Sequence, residues 1–251
     1  MDNTQRFSNR VEDYVKYRPH YPEAVISWMR DNYYFDAQWE VADVGSGTGI
    51  STELFLRNGN RVYGVEPNAA MREKAEELLA GYAGFVSMNG TAEKTGLPDG
   101  AVNLVVAGQA FHWFEPDRAR AEFVRILRPG GCVALIWNER KEASSFEKEY
   151  AELILQYAGE YKTVNHKNTG TPEMEHFFSP QPYRLQQFDN EQLFDAEGLR
   201  GRLLSSSYVP KEGPVHEAML KALADLFARH QSGGQVRVGY DTKLYMGVIR
   251  P

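Results

Sequence analysis

The chain of 251 residues holds one cysteine, Cys132, so no intramolecular disulfide framework can staple it. A reducing cytoplasm is the compartment expected for such a sequence. It has no long apolar run either. The longest, Cys132 to Trp137, is six residues, against the roughly 20 that a membrane-spanning helix needs. The opening Met1-Asp2-Asn3-Thr4-Gln5-Arg6-Phe7 lacks the basic-then-apolar order of a secretory signal. Basic residues are outnumbered 28 to 34, and a net charge of −6 argues against sequence-independent grip on a nucleic-acid backbone. Only residues 198–251 reverse the balance, with eight basic and four acidic side chains, and no basic cluster forms there. Repeats and low-complexity tracts are absent. His166 and His176 have no acid or cysteine at ligand spacing, so no metal site is expected.

What is present is an ordinary globular balance, 42% apolar and 25% charged, in a length that suits one α/β domain over 1–251 with an appended or inserted part. From residue 40 short β-rich runs alternate with helical patterns, as in a parallel sheet built from βαβ units. Strands are expected at 40–44, 61–66, 85–88, 102–107 and 132–137. Asn68 can cap a helix whose Met71, Ala75, Leu78 and Leu79 share one face, and Pro129-Gly130-Gly131 ends another that carries Phe123, Ile126 and Leu127. After Asn138 the rhythm breaks. Ser144-Ser145-Phe146-Glu147 has the form of a capping box, followed by a stripe of Phe146, Tyr150, Leu153, Ile154 and Tyr157. Residues 159–182 have no clear period and are expected to form an ordered excursion near the pocket mouth. Strands at 183–188 and 243–249 flank helices at 195–204 and 214–230.

Gly45-Ser46-Gly47-Thr48-Gly49 joins the first strand to its helix, where glycines let the backbone turn sharply and approach a ligand. Glu66, 21 residues after Gly45 at the end of the second strand, is placed to accept hydrogen bonds from both hydroxyls of a ribose. A nucleotide-like ligand follows from the two together. The loop departs from a dinucleotide fingerprint, because Thr48-Gly49-Ile50 follows Gly47 where that fingerprint has its third glycine three positions on. The spacing Asp43-x-Gly45-x-Gly47-x-Gly49 instead resembles the first motif of class I S-adenosylmethionine-dependent methyltransferases. The resemblance extends over nearly the whole chain and narrows to the small-molecule branch similar to trans-aconitate methyltransferases. It is carried by Phe7 through Tyr14 with Arg18-Pro19-His20-Tyr21-Pro22, by Gly90-Thr91-Ala92-Glu93 with Leu97-Pro98, and by Gln109-Ala110-Phe111-His112-Trp113-Phe114.

That resemblance implies a Rossmann-like, doubly wound, mostly parallel seven-stranded sheet with an antiparallel last strand and a helical excursion after strand five. It implies an N-terminal helical cap, 1–38, over the cofactor and an insertion, 141–182, near the substrate pocket. S-adenosylmethionine would be held by Gly45, Gly47 and Gly49, with Glu66 on the ribose, Asn68 and Met71 flanking the adenine, Thr91 and Ala92 at its edge, and Gln109 and Ala110 facing the methionine moiety. Asp43 can orient the loop, bond the cofactor's ammonium group, or simply end a strand. Tyr14 and Arg18, one helical turn apart, can close over a carboxylate or belong to a surface helix ending at Pro19.

His112 lies just beyond the fourth strand, where open α/β sheets bind ligands. It is the candidate catalytic residue, able to bond an acidic substrate, take a proton, or fix a loop. Trp113 is a candidate pocket wall together with Phe114, though both suit a core equally well. His20 and Arg140 are candidate anion clamps, with Arg200 and Arg202 behind them. The resemblance favours an anionic small acceptor whose carboxylate is ionised at pH 7 and needs no base. No Asn-Pro-Pro-aromatic sequence follows strand four, which speaks against exocyclic amines of nucleic acids as acceptors. Two other readings stand beside this one: an NAD-dependent oxidoreductase, disfavoured by the loop spacing, and a silent module that binds the cofactor as a sensor.

Overall fold

The computed structural model describes residues 15–158, 171–206 and 208–250. Period-two burial builds its centre. In the strand Cys132–Trp137, the side chains of Cys132, Ala134 and Ile136 pack on one face of the sheet and Val133, Leu135 and Trp137 on the other. Both faces are covered, so the parallel strands read as near-continuous apolar runs. The elements in chain order are α1 (Ala24–Tyr33), β1 (Glu40–Val44), α2 (Ile50–Arg57), β2 (Arg61–Val65), α3 (Ala69–Leu78), β3 (Phe85–Met88) and β4 (Val102–Gly108). A 3₁₀ turn (Phe111–Trp113), α4 (Pro116–Ile126), β5 (Leu127–Arg140), α5 (Ser145–Tyr157), α6 (Thr171–Phe178), β6 (Tyr183–Phe194), α7 (Ala196–Leu204), α8 (Pro214–His230) and β7 (Val236–Val248) follow.

Seven strands form one sheet in the order β3-β2-β1-β4-β5-β7-β6. β1 to β5 run parallel, and β7 is antiparallel to both β5 and β6. The expected Rossmann-like sheet with its reversed last strand is therefore present. From β1 the chain winds outward to β3 and then returns to place β4 on the other side of β1, so the switch point lies between β1 and β4. Open α/β sheets hold their ligands at that crevice.

Three boundaries differ from the sequence expectation. β5 begins at Leu127, not Cys132, because Leu127 pairs with Val102 and the Pro129-Gly130-Gly131 turn sits within the strand as an irregularity of register. β6 continues to Phe194 and β7 begins at Val236, the two pairing over twelve residues. Most of β6 is polar, since it is the sheet edge and buries little of either face, and that hid its length.

A third core lies past the carboxyl end of the parallel sheet, where Phe146, Tyr150 and Ile154 of α5 meet Leu199 and Leu203 of α7, Met219 and Leu223 of α8, and Val238 and Tyr240 of β7. The apolar stripe of α5 is spent here. α6 packs with Met174, Phe177 and Phe178 against the core beneath α4. Among the described residues no helix is long and apolar enough to cross a membrane.

Candidate functional site

The loop after β1 is shaped by its glycines. Gly45, Gly47 and Gly49 have φ of +69°, +56° and +90°, a region that side-chained residues rarely adopt. Their reasons differ. A Cβ on Gly47 would stand in the cleft with only Met71 Cε near it, at 3.8 Å, whereas one on Gly49 would lie 2.6 Å from Leu79 Cδ1. Gly47 keeps space open for a ligand, and Gly49 lets α2 pack on the end of α3. Backbone N–H groups of Gly45 and Ser46 donate to Val65 O at 2.8 and 3.2 Å, which ties the loop to the end of β2.

Glu66 follows immediately. Its Oε2 accepts from Gly47 N and its Oε1 from Asn68 N, both at 2.9 Å. Those contacts occupy about two of the carboxylate's four lone-pair sites and fix its plane, leaving the others for a pair of hydroxyls. Burial pushes the Glu66 carboxyl up, opposed by the N–H groups of Asn68 and Gly47 and by Arg72. Asn68 caps α3 by accepting from Met71 N at 3.1 Å, which sets Met71 against the cleft.

Across the switch point the loop after β4 supplies Gln109. It is a non-glycine residue at φ +56°, held by N–H donation to Ile136 O at 2.8 Å and by Nε2 donation to Asn138 O at 3.0 Å. Backbone strain of this kind persists only where surroundings over-determine it, and it gathers at binding sites.

One cleft, with about 910 Å³ of empty space including its open mouth, joins these parts. It is lined by Gly45, Gly47, Glu66, Asn68, Met71, Thr91, Ala92, Gln109, Ala110 and Trp113. All ten were expected from sequence. Pro67, Glu93, Gly108 and Phe114 also line it. Glu93 had a visible signal, since it ends the quoted Gly90-Thr91-Ala92-Glu93 run; burial pushes it up, but the Glu115 N–H bond and others bring it below its ordinary value. A second, smaller cavity shares Gly45, Gly47, Gly108 and Gln109 and runs on to Arg18, Pro19, Tyr21 and Ser51. The segment ahead of α1 thus closes one end of the cleft.

Five expected site residues do not line these cavities. Asp43 is fully buried behind the loop, accepting from Ser51 Oγ and Thr52 Oγ1, each at 2.6 Å, on one oxygen while its Oδ1 has no partner. Burial pushes its carboxyl up to about 6, although the two hydroxyls oppose that. Its geometry orients the first turn of α2. Gly49 serves packing, as above. His112 sits in the 3₁₀ turn that instead turns Trp113 and Phe114 to the cleft; its ring lies 4.7 Å from that of Trp113, and burial pushes the imidazole down to about 4. His20 is exposed and 3.7 Å from Glu53. Arg140 lies over the Tyr150 ring at 5.2 Å, toward the third core. Tyr14 lies outside the described residues.

The comparisons with known proteins bear on this cleft. Residues 42–135, from within β1 into β5, match the family of methyltransferase domains. That stretch is thus similar to a methyltransferase domain. An uncharacterized methyltransferase of Mycobacterium bovis is 37% identical over 153 residues, 61% of this chain and 60% of that protein. An uncharacterized methyltransferase-like protein of Schizosaccharomyces pombe is 25% identical over 98% of the chain and 96% of its own length. Among solved structures, a candidate type II methyltransferase from Anaeromyxobacter dehalogenans superposes with a TM-score of 0.64 at 21% identity, covering 93% of this chain and 99% of that one. The likeness is one of fold, a Rossmann-like seven-stranded sheet.

The cleft fits the S-adenosylmethionine that the resemblance of the sequence implies. The open space over Gly47 would admit the backbone-proximal part of the ligand, Glu66 presents acceptors suited to a ribose, and Met71, Ala92 and Phe114 offer apolar surface to a flat base. Gln109 and Arg18, at the other end, have the amide and guanidinium needed by an amino-acid moiety.

Proposed function

We propose that the chain transfers a methyl group from S-adenosylmethionine to a carboxylate oxygen of a small acid, as an enzyme of the class I small-molecule branch. The observation that carries this reading is the cleft at the β1/β4 switch point, with Gly47 left open and Glu66 locked by two backbone N–H groups. The bound cofactor supplies an electrophilic sulfonium methyl. This chain's residues do the rest by position. Glu66 orients the ribose, the loop at Gly45–Gly47 and Gln109 set the amino-acid end, and Trp113 with Phe114 walls off water on the acceptor side. Trp113, whose ring lies 4.7 Å from the imidazole of His112, would shape the acceptor's approach.

The carboxylate acceptor is supported by the electrostatics. The titratable groups among the described cleft-lining residues are Glu66 and Glu93. Glu66 is engaged by the loop, and Glu93, below its ordinary value, is too weak a base to deprotonate an alcohol or phenol. His112, pushed down to about 4, is also a weak base. An acid with a reference pKa of about 4 arrives ionised and needs none. The lone, buried Cys132 suits work in a reducing cytoplasm.

The test is a screen of an acidic metabolite fraction with methyl-labelled cofactor. Base-labile labelled esters are expected. Label appearing only in base-stable products would overturn carboxylate methylation, and S-adenosylhomocysteine binding with no labelled product in any fraction would point to a silent binding module.

A further inference from the structure

β5 carries Cys132, Ala134 and Ile136 on the sheet face that packs with Val25, Ile26 and Met29 of α1, and period two puts Asn138 next in that column. The pattern calls for an apolar residue there, since Asn138 is 3% exposed. Its amide instead makes all four hydrogen bonds open to it. Nδ2 donates to Pro19 O and to His20 O, both at 3.3 Å. Oδ1 accepts from the hydroxyl of the fully buried Thr242, its register partner on β7, and from Asn190 Nδ2 of β6 at 3.2 Å. Asn190 Nδ2 also donates to His20 O at 2.7 Å. Turned over, the amide would set its oxygen against two carbonyls, so one orientation is fixed.

The main chain of the same residue reaches the cofactor cleft. Asn138 O accepts from Gln109 Nε2 at 3.0 Å, and Ile136 O, two residues earlier, accepts from Gln109 N at 2.8 Å. These bonds hold Gln109 at its φ of +56°, where a side-chained residue stays only if its neighbours over-determine it. Gln109 lines the smaller cavity together with Arg18, Pro19 and Tyr21. Asn138 lines neither that cavity nor the main cleft, yet it grips both segments that border the cofactor's amino-acid end. For stability alone, an apolar side chain among apolar neighbours would serve nearly as well. What a satisfied polar network adds is a single rigid arrangement. Holding both segments in place before the cofactor arrives spares the cost of ordering them on binding.

We propose that Asn138, aimed by Thr242, is a positioning residue for the methyl donor: without touching the cofactor, it sets Gln109 and the Arg18–His20 segment at the spacing that fits the cofactor's amino and carboxylate groups. The antiparallel strands β6 and β7 thereby belong to the binding apparatus, because Asn190 and Thr242 hold the amide from their side of the sheet. That role rests on the methyltransferase reading of the cleft.

The test compares two ligands. 5′-Methylthioadenosine has the adenine and ribose of S-adenosylhomocysteine but lacks its amino and carboxylate groups, so a fault confined to the amino-acid end shows with one ligand and not with the other. Both are titrated by calorimetry into wild type, Asn138→Ala, Thr242→Val and Thr242→Ser. Asn138→Ala is expected to lose at least tenfold in affinity for S-adenosylhomocysteine and less than threefold for 5′-methylthioadenosine. Thr242→Val keeps the size of the side chain and removes the hydroxyl; it is expected to lose at least threefold for S-adenosylhomocysteine alone, and Thr242→Ser to stay within twofold of wild type. Equal losses for the two ligands, or no loss in any variant, would overturn the positioning role. If Asn138→Ala does not fold, or 5′-methylthioadenosine binds too weakly to titrate, the difference between Thr242→Val and Thr242→Ser decides, and equal affinities of those two for S-adenosylhomocysteine would overturn the role. Wild type that binds neither ligand would overturn the cofactor reading and the role with it, whereas binding of both with unselective variants overturns the role alone.

Discussion

At the scale of single residues, the cleft separates positions that look alike in sequence. Gly47 and Gly49 share a motif, yet only Gly47 borders the ligand space. Gly47→Ala should cut S-adenosylhomocysteine affinity at least tenfold with a modest loss of stability, the left-handed φ costing about 1–2 kcal/mol. Gly49→Ala should mainly lower the melting temperature, since its methyl must displace Leu79. Equal affinity losses in the two variants, measured by calorimetry, would show the assignment to be wrong. Glu66→Ala removes two charge-assisted bonds of roughly 1.5–3 kcal/mol each, so affinity should fall by about 10² or more; unchanged affinity would take Glu66 out of the site. His112 makes a different case. Burial leaves its imidazole neutral above about pH 4, so His112→Gln should keep the single-turnover rate within tenfold of wild type and flat from pH 5 to 9. A hundredfold loss would assign His112 the role of a base and the acceptor a protonated nucleophile.

At the scale of elements, a motif visible in sequence does more than its sequence implies. Ser144 and Glu147 form the expected capping box of α5, with Glu147 N donating to Ser144 Oγ at 3.2 Å and Ser144 N to Glu147 Oε2 at 2.9 Å. Glu147 Oε2 also accepts from Ala143 N at 3.0 Å, and its Oε1 accepts from Gly239 N of β7 at 2.9 Å. One buried carboxylate therefore starts a helix and fastens it to the sheet. Ser144→Ala should cost about 1 kcal/mol. Glu147→Gln, which keeps one acceptor oxygen for three backbone donors, should cost roughly 2–4 kcal/mol. Urea unfolding of the two variants checks the order, and a larger loss for Ser144→Ala would mean the tie to β7 is dispensable. Legibility follows the same line. The βαβ half, the glycine loop, Glu66 and the cap at Asn68 were readable because local sequence decides them. The length of β6 was not, because Tyr183–Phe194 lies at an edge and carries no buried face. Nor was the packing of α7 on the segment ahead of α1, where Gly201 lies against Tyr17 and Arg18 Nη2 donates to Ser205 O at 3.0 Å, because residues so far apart in sequence carry no local signal of meeting.

At the scale of the whole molecule, two buried carboxylates on opposite sides of the sheet pull the pH dependence of stability in opposite directions. Asp43, raised by burial to about 6 from 3.8, holds its proton more tightly folded than unfolded. The unfolded chain releases that proton first, so stability falls as pH rises from about 4 to about 6 and then levels off, by about 3 kcal/mol at 1.36 kcal/mol per pH unit. Glu122 is the reverse. Burial would raise it, but Arg125 and the hydroxyl and N–H of Thr95 bring it down to about 2. Its contribution is full above the unfolded value of 4.5 and is lost as pH falls toward 2. Asp43→Asn keeps an oxygen for Ser51 and Thr52 but cannot ionise, so its stability, followed by urea unfolding from pH 4 to 8, should rise relative to wild type as pH increases and reach its full difference near pH 7. Glu122→Gln should instead be closest to wild type at the acid end and worst near neutrality. Parallel wild-type and Asp43→Asn curves across pH 4 to 7 would mean that Asp43 stays ionised in the fold and that burial does not raise it.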